Sequence, residues 1–194
     1  TEVTSTGAKK WAKEEWYSVA MSADGSKQTA VAQHGQIWTS ADEGVSWSEV
    51  TSMGGERSWY SVAMSFSGEI QTALAQEGVW RSTDYGATWT EVDLQTGWRD
   101  TSNGGMTWHS VAMSGDGQRQ TAVEHSGSIW MSTDAGKAWT EVTSKGAKGL
   151  TWDCVAVSQS GDQQTAVANG DHIWMLDSGT SWVKAATGGI DFWH

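Results

Sequence analysis

Proline is missing altogether from the 194 residues, where ordinary usage would give about ten. Its absence reads as the mark of one template, lacking proline, that has been multiplied. Cysteine occurs once, at Cys154, so no disulfide can form within the chain and the redox compartment stays open. Asparagine occurs only at Asn103 and Asn169, each followed by glycine, so there is no N-glycosylation sequon. Basic residues are few: 12 Lys and Arg against 23 Asp and Glu, a net charge of −11. The short cluster Lys9, Lys10 and Lys13 is the only basic concentration. This balance argues against a nucleic-acid surface and against anionic membranes. No apolar run approaches the roughly 18 residues that span a bilayer. There is no signal-peptide pattern, and the chain begins at Thr1, as a processed or trimmed product would.

Helical periodicity is also scarce. What is abundant is Gly, Ser, Thr, Val and Trp, with 15 Trp in all, a composition of short strands and turns. Self-comparison organises it. "WYSVAMS" starts at Trp16 and Trp59, "WHSVAMS" at Trp108 and "WDCVAVS" at Trp152. Each is followed by a Gly turn and then by "QTAVA", "QTALA", "QTAVE" or "QTAVA", from Gln28, Gln71, Gln120 and Gln164. Next comes a Gly and an Ile-Trp or Val-Trp pair ending at Trp38, Trp80, Trp130 and Trp174. The unit closes with "SADEGVSW" (Ser40 to Trp47), "STDYGATW" (Ser82 to Trp89), "STDAGKAW" (Ser132 to Trp139) or "MLDSGTSW" (Met175 to Trp182).

Each unit reads as four short strands, A to D, over residues 16–50, 59–92, 108–142 and 152–185. Four-stranded antiparallel units at this period predict an all-β propeller, a single domain over 1–194 with four four-stranded antiparallel blades. The Ser-x-Asp-x-Gly-x-x-Trp segment between C and D resembles the Asp-box, or BNR, repeat. That repeat occurs in sialidase-like propellers, in photosystem II assembly-factor-like propellers and in many secreted repeat proteins. The resemblance covers nearly the whole chain and leans toward an extracellular setting. It implies a fold and not an activity. The motif Asp, at 42, 84, 134 and 177, reads as a staple: it can accept from backbone N–H groups of its own turn, the Gly can take a positive φ, and the Trp can bury its ring between sheets.

Closure is open to three readings. "TEVTS" at Thr1 copies the D-strand ends, and "GGIDFWH" resembles the lead-in to Trp108, so one D strand is spare. A closed four-blade monomer is the first expectation, two chains forming an eight-bladed ring the second, and a piece of a longer array the third.

The A–B and C–D turns share one face of such a stack, and the B–C and D–A connections share the other. The resemblance to sialidase-like propellers implies a site on the face opposite the Asp turns. Two long D–A linkers there carry Trp11 and Trp98, the Trp without a repeated position. Trp98 is followed by Arg99 and Asp100, a ring, a cation and an acceptor suited to a sugar. The alternative is that each Trp folds over the channel as a lid. The same face should present His34 and His125 in the B–C loops and the residue after each A-strand Trp: Tyr17, Tyr60, His109 and Asp153. A metal bound by His34, His109, His125 and His172 lacks any local ligand spacing, and solvated histidines are the better reading.

A sialidase, by resemblance, needs an arginine triad, a Tyr–Glu nucleophile pair and an Asp acid/base. The four Arg are Arg57, Arg81, Arg99 and Arg119, and Arg81 and Arg119 belong to the Asp-turn face, so no triad assembles. No carboxylate pair, nucleophile motif or phosphate loop stands out. The expectation is a non-catalytic, lectin-like module without cofactor or metal, binding glycans or glycoproteins. A protein-docking or assembly-factor propeller is the alternative.

Overall fold

The computed structural model describes residues 4–5, 14–76, 78–94, 108–177 and 181–185. Trp11, Trp98, Arg99 and Asp100 lie outside the described residues. A two-residue strand, β1 (Thr4–Ser5), comes first. Blade one is β2 (Glu15–Met21), β3 (Gln28–Gln33), β4 (Ile37–Ser40) and β5 (Ser46–Val50). Blade two is β6 (Trp59–Met64), β7 (Gln71–Ala75), β8 (Gly78–Ser82) and β9 (Thr90–Glu91). Blade three is β10 (Trp108–Met113), β11 (Gln120–Glu124), β12 (Ile129–Ser132) and β13 (Thr140–Glu141). Blade four is β14 (Trp152–Val157), β15 (Gln164–Ala168), β16 (Ile173–Asp177) and β17 (Ser181–Lys184). Strands within each blade pair antiparallel in sequence order, as in β-propeller blades. The spare N-terminal strand adds to blade one: β1 lies parallel to β5, with Thr4 opposite Ser46.

The small residues of the B strands explain the core. In blade two, Trp59 stands opposite Ala75 and Trp80 opposite Ala73, so both rings lie on the face of those alanines. With only methyl groups between them, the two indoles meet edge to face, centroids 6.1 Å apart at 72°. The same pair recurs as Trp16–Trp38, Trp108–Trp130 and Trp152–Trp174, at 5.8 to 6.4 Å. This geometry bears on the indole N–H groups of Trp59, Trp80, Trp108, Trp152 and Trp174, which are buried with no hydrogen-bond acceptor. An edge-to-face neighbour leaves such an N–H a π face at best, a weak substitute.

The Trp stacks of blades two, three and four each pack on the preceding blade, and one buried cluster fills each of these seams. Val31, Ile37 and Val50 of blade one meet Trp59, Val62, Ala73, Ala75, Trp80 and Trp89 of blade two. Equivalent clusters join blades two and three, and three and four. Among the described residues no cluster joins blade four back to blade one. The described blades therefore form an open run, not the closed four-blade ring expected first.

Candidate functional site

The two ends of the blades are held differently. At the end carrying the A–B and C–D turns, the turns touch: the Ala135 N–H donates to the Gln118 carbonyl at 3.0 Å, and Tyr85 and Glu43 make the matching bonds. The motif aspartates staple this end. Asp84 accepts from the Ser82 hydroxyl at 2.8 Å, the Thr88 N–H at 2.9 Å and the Thr88 hydroxyl. The Trp89 indole donates to the Gly86 carbonyl at 3.0 Å and is buried. Tyr85 and Gly86 are both left-handed, at φ 62° and 82°, and at the second a Cβ would also press on the Thr39 and Gln71 side chains at 3.0 and 3.1 Å, which favours glycine there. Asp42 repeats this set with Ser40 and Ser46, while Asp134 accepts from the Ser132 hydroxyl and from the Ala138 and Lys137 N–H groups. These donors hold the carboxyls below the usual range. For Asp42 the Ser46 hydroxyl leads; for Asp84 burial pushes upward and is outweighed by Thr88 and Ser82. Every acceptor of these carboxylates faces its own turn, which is a structural role.

The opposite end is built for variation. In all four blades the A–B register slips by one residue just after the first Trp: between Trp16 and Ser18, Trp59 and Ser61, Trp108 and Ser110, Trp152 and Cys154. The residue left over in each slip is Tyr17, Tyr60, His109 or Asp153. A bulge leaves its extra residue outside the ladder and re-aims its side chain. The A strands pack side by side from blade to blade, so these four positions follow one another along one rim. Tyr17 and Tyr60 meet edge to face at 5.7 Å, bridging blades one and two. His109 meets His125 of the B–C loop of its own blade, ring centroids 5.4 Å apart. Tyr60 is half-buried, whereas Tyr17, His109 and His125 are exposed, and Asp153 is half-buried. His34, held in a left-handed conformation at φ 55°, places Nδ1 3.1 Å from the Ser58 hydroxyl. Of the predicted site residues, then, Tyr17 joins Tyr60 and His109 joins His125. His172 is instead engaged by Asp171, which also takes Lys184 at 2.7 Å. Among the described residues no group of three or more His, Cys, Asp or Glu could hold a metal ion.

Two features escape the sequence reading. Glu124 occupies the B-strand position that holds Ala32, Ala75 and Ala168 in the other blades. It accepts the Trp130 indole N–H at 2.6 Å and the Ser128 N–H at 3.3 Å, so blade three satisfies an indole whose counterparts Trp80 and Trp174 stay unbonded. Burial raises its carboxyl above the usual range, against the pull of those donors. Nearby Glu141 accepts from Lys148 at 2.8 Å and Ser128 at 2.6 Å and is held low. The signal was the lone Glu in four otherwise matching strands. The second feature is an open groove of about 690 Å³ at the Asp-turn end, lined by Phe66, Gly115, Asp116, Ser158, Gln159 and Ser160. It lies between the A–B turns of blades two, three and four.

Among the described residues no helix is long and apolar enough to cross a membrane. No known protein family and no curated protein matches the sequence. Solved structures do match in shape. A GH74 enzyme of Niastella koreensis superposes with a TM-score of 0.63 at 22% identity, covering 87% of this chain and 24% of its own. YCF48 of Cyanidioschyzon merolae gives 0.63 at 18% identity, covering 91% and 57%. A structure of YCF48 bound to a D1 peptide gives 0.62 at 18%, covering 90% and 55%. The chain thus spans about a quarter of the first and somewhat over half of the others. At these identities the likeness is one of fold, and the fold is that of β-propeller blades.

Proposed function

We propose that this chain is a non-catalytic carbohydrate-binding propeller of the Asp-box type, and that its ligand surface is the rim of bulged residues. The observation that carries the reading is the repeated bulge. Four blades that otherwise copy one another present Tyr17, Tyr60, His109 and Asp153 from one structural position, backed by His125. Tyrosine rings offer flat apolar faces with a polar tip, suited to the C–H face of a sugar, while His109 and Asp153 supply a donor and an acceptor for hydroxyls. Shallow repeated sites of this kind gain strength on multivalent glycans. The carboxylate raised by burial, Glu124, has its oxygens engaged by Trp130 and Ser128, which suits a structural task better than acid catalysis.

A glycan array with the intact chain tests this. The expected result is binding to several related glycans, weakened about 5- to 100-fold by Tyr60→Ala or His109→Ala, the loss of one anchor contact. Binding that survives both substitutions removes the rim from consideration. A second reading, docking of an extended polypeptide, draws on the likeness to YCF48, one structure of which holds a D1 peptide. A blank array together with peptide capture that depends on Tyr60 would favour it.

A further inference from the structure

Each internal seam is fastened by the same three hydrogen bonds. In the first, the turn residue after strand A donates its N–H to the next blade's carbonyl: Ala23 to Phe66 at 2.9 Å, Phe66 to Gly115 at 2.8 Å, Gly115 to Gln159 at 2.8 Å. In the second, the A-strand Val N–H donates to the serine hydroxyl of the preceding blade: Val62 to Ser18 at 3.2 Å, Val111 to Ser61 at 3.2 Å, Val155 to Ser110 at 3.3 Å. In the third, the B-strand Thr donates to the next blade's Gln: Thr29 to Gln71 at 2.7 Å, Thr72 to Gln120 at 2.6 Å, Thr121 to Gln164.

Among the described residues, the two ends of the run carry the halves of this set that no neighbouring blade completes, although the Cys154 sulfur also accepts from the Ser110 hydroxyl at 3.9 Å within its own chain. Blade four ends on the Gln159 N–H, the Cys154 sulfur in the serine position, and the Thr165 hydroxyl. Blade one begins with the Ala23 carbonyl, the Val19 N–H and the Gln28 side-chain carbonyl. Rung by rung, a donor faces an acceptor: Gln159 with Ala23, Val19 with Cys154, Thr165 with Gln28. Part of the apolar seam surface is left open as well, although Trp38 and Ala32 are already buried within the single chain. Ile173 is 50% exposed, whereas Ile37, Val79 and Ile129 at its position are fully buried. Val19 is 59% exposed, against 5–6% for Val62, Val111 and Val155, and Met21 is exposed beside it. Thr29, Thr72 and Thr121 are fully buried, and Thr165 is exposed.

We infer that the free face of blade four docks the free face of blade one of a second copy. Two copies joined head to tail through two equal seams close an eight-bladed ring. The occupant is a second copy because these faces are the two halves of a seam the chain already forms three times within itself, with the same residues and the same hydrogen-bond polarity. A two-fold axis relates the copies, and both unmatched ends are consumed. The rim then carries Tyr17, Tyr60, His109 and Asp153 twice around one channel.

Light scattering on the intact chain at micromolar concentration tests it. The expected mass is twice the 20.9 kDa of one chain. Ile173→Glu and Val19→Lys, both at surface positions of the single chain, should each give folded monomer by circular dichroism. Cys154, exposed in the single chain, should react with a bulky thiol reagent at least 10-fold faster in Ile173→Glu than in the parent. A parent mass of one chain would overturn the inference. So would a dimer indifferent to both substitutions, or filaments that lengthen with concentration instead of closing.

Discussion

At one end of the blades Asp42, Asp84 and Asp134 each accept from the serine two residues before and the N–H four residues on, while at the other Tyr17, Tyr60, His109 and Asp153 share one position and three chemistries. The difference follows from where each side chain's partners lie. A motif Asp is satisfied within its own turn, so a change there removes the acceptor of the turn's own N–H and hydroxyl donors. A bulged residue stands outside the ladder, so its side chain can change without disturbing a strand. One repeat therefore supplies both a conserved geometry and a variable display. The sharpest way to break the comparison is to show that a residue at the Asp-turn end can be lost cheaply. Trp89→Ala should cost about 3–5 kcal/mol, because the ring is buried in the seam between blades one and two and its truncation leaves a cavity. Urea unfolding followed by tryptophan fluorescence checks this. A loss below about 1 kcal/mol would mean that the seam does not depend on the motif Trp.

Asp84→Ala is the next test. It removes the acceptor of the Thr88 N–H and of two hydroxyls, and should cost about 1–2 kcal/mol at neutral pH, since the site is only half-buried. Its pH dependence has a definite sign. The folded-state carboxyl sits below the unfolded value near 3.8, so the unfolded chain binds the proton first as pH falls. The contribution is complete above about pH 5 and is lost as pH drops below 4. Parent and Asp84→Ala stabilities should therefore converge in acid. At the rim, Tyr60→Ala should shift stability less than Trp89→Ala does, even though it is the change that weakens ligand binding.

Much of this was legible in the sequence because repetition multiplies the signal. Three copies of Ala-x-Ala beside two tryptophans, with Ala122-x-Glu124 in the remaining blade, mark the blade core, and the repeated Asp-x-Gly motif marks the staple seen at Asp42, Asp84 and Asp134, so each element was read several times over. The display position was visible too, since Tyr17, Tyr60, His109 and Asp153 vary inside a constant frame. The bulge behind it was not, because register belongs to a pair of strands and leaves no mark on either alone. The open ends were legible only as the second and third readings of closure, for a similar reason. Val19 and Val62 are the same residue in the same motif, and only the presence or absence of a neighbouring blade makes one exposed and the other buried. The off-pattern Trp11 and Trp98 fall outside the described residues, so the choice between lid and contact rests on their substitution.

Glu124 cuts across the comparison, because it is a variable residue with a structural task. Its carboxylate secures the Trp130 indole, yet burial makes the charge costly, and the two effects can be separated. Glu124→Gln keeps an amide oxygen for the indole and removes the charge. The folded-state carboxyl lies above its ordinary value of 4.5, so folding favours its protonated form. The parent is therefore penalised as pH rises through that value, and the penalty is relieved as pH falls below it, opposite in direction to Asp84. Glu124→Gln should thus raise Tm at pH 7 by about 2 °C, what roughly half to one kcal/mol produces in a chain of this size, and change it little near pH 4. Glu124→Ala, which restores the residue of the other three blades, should leave the Trp130 indole as unbonded as that of Trp80. A stability equal to the parent would then mean that the indole bond and the buried charge cancel. A fall at pH 7 in Glu124→Gln would show that the ionised carboxylate, through its neighbours Ser128 and Lys148, does more for blade three than its burial costs.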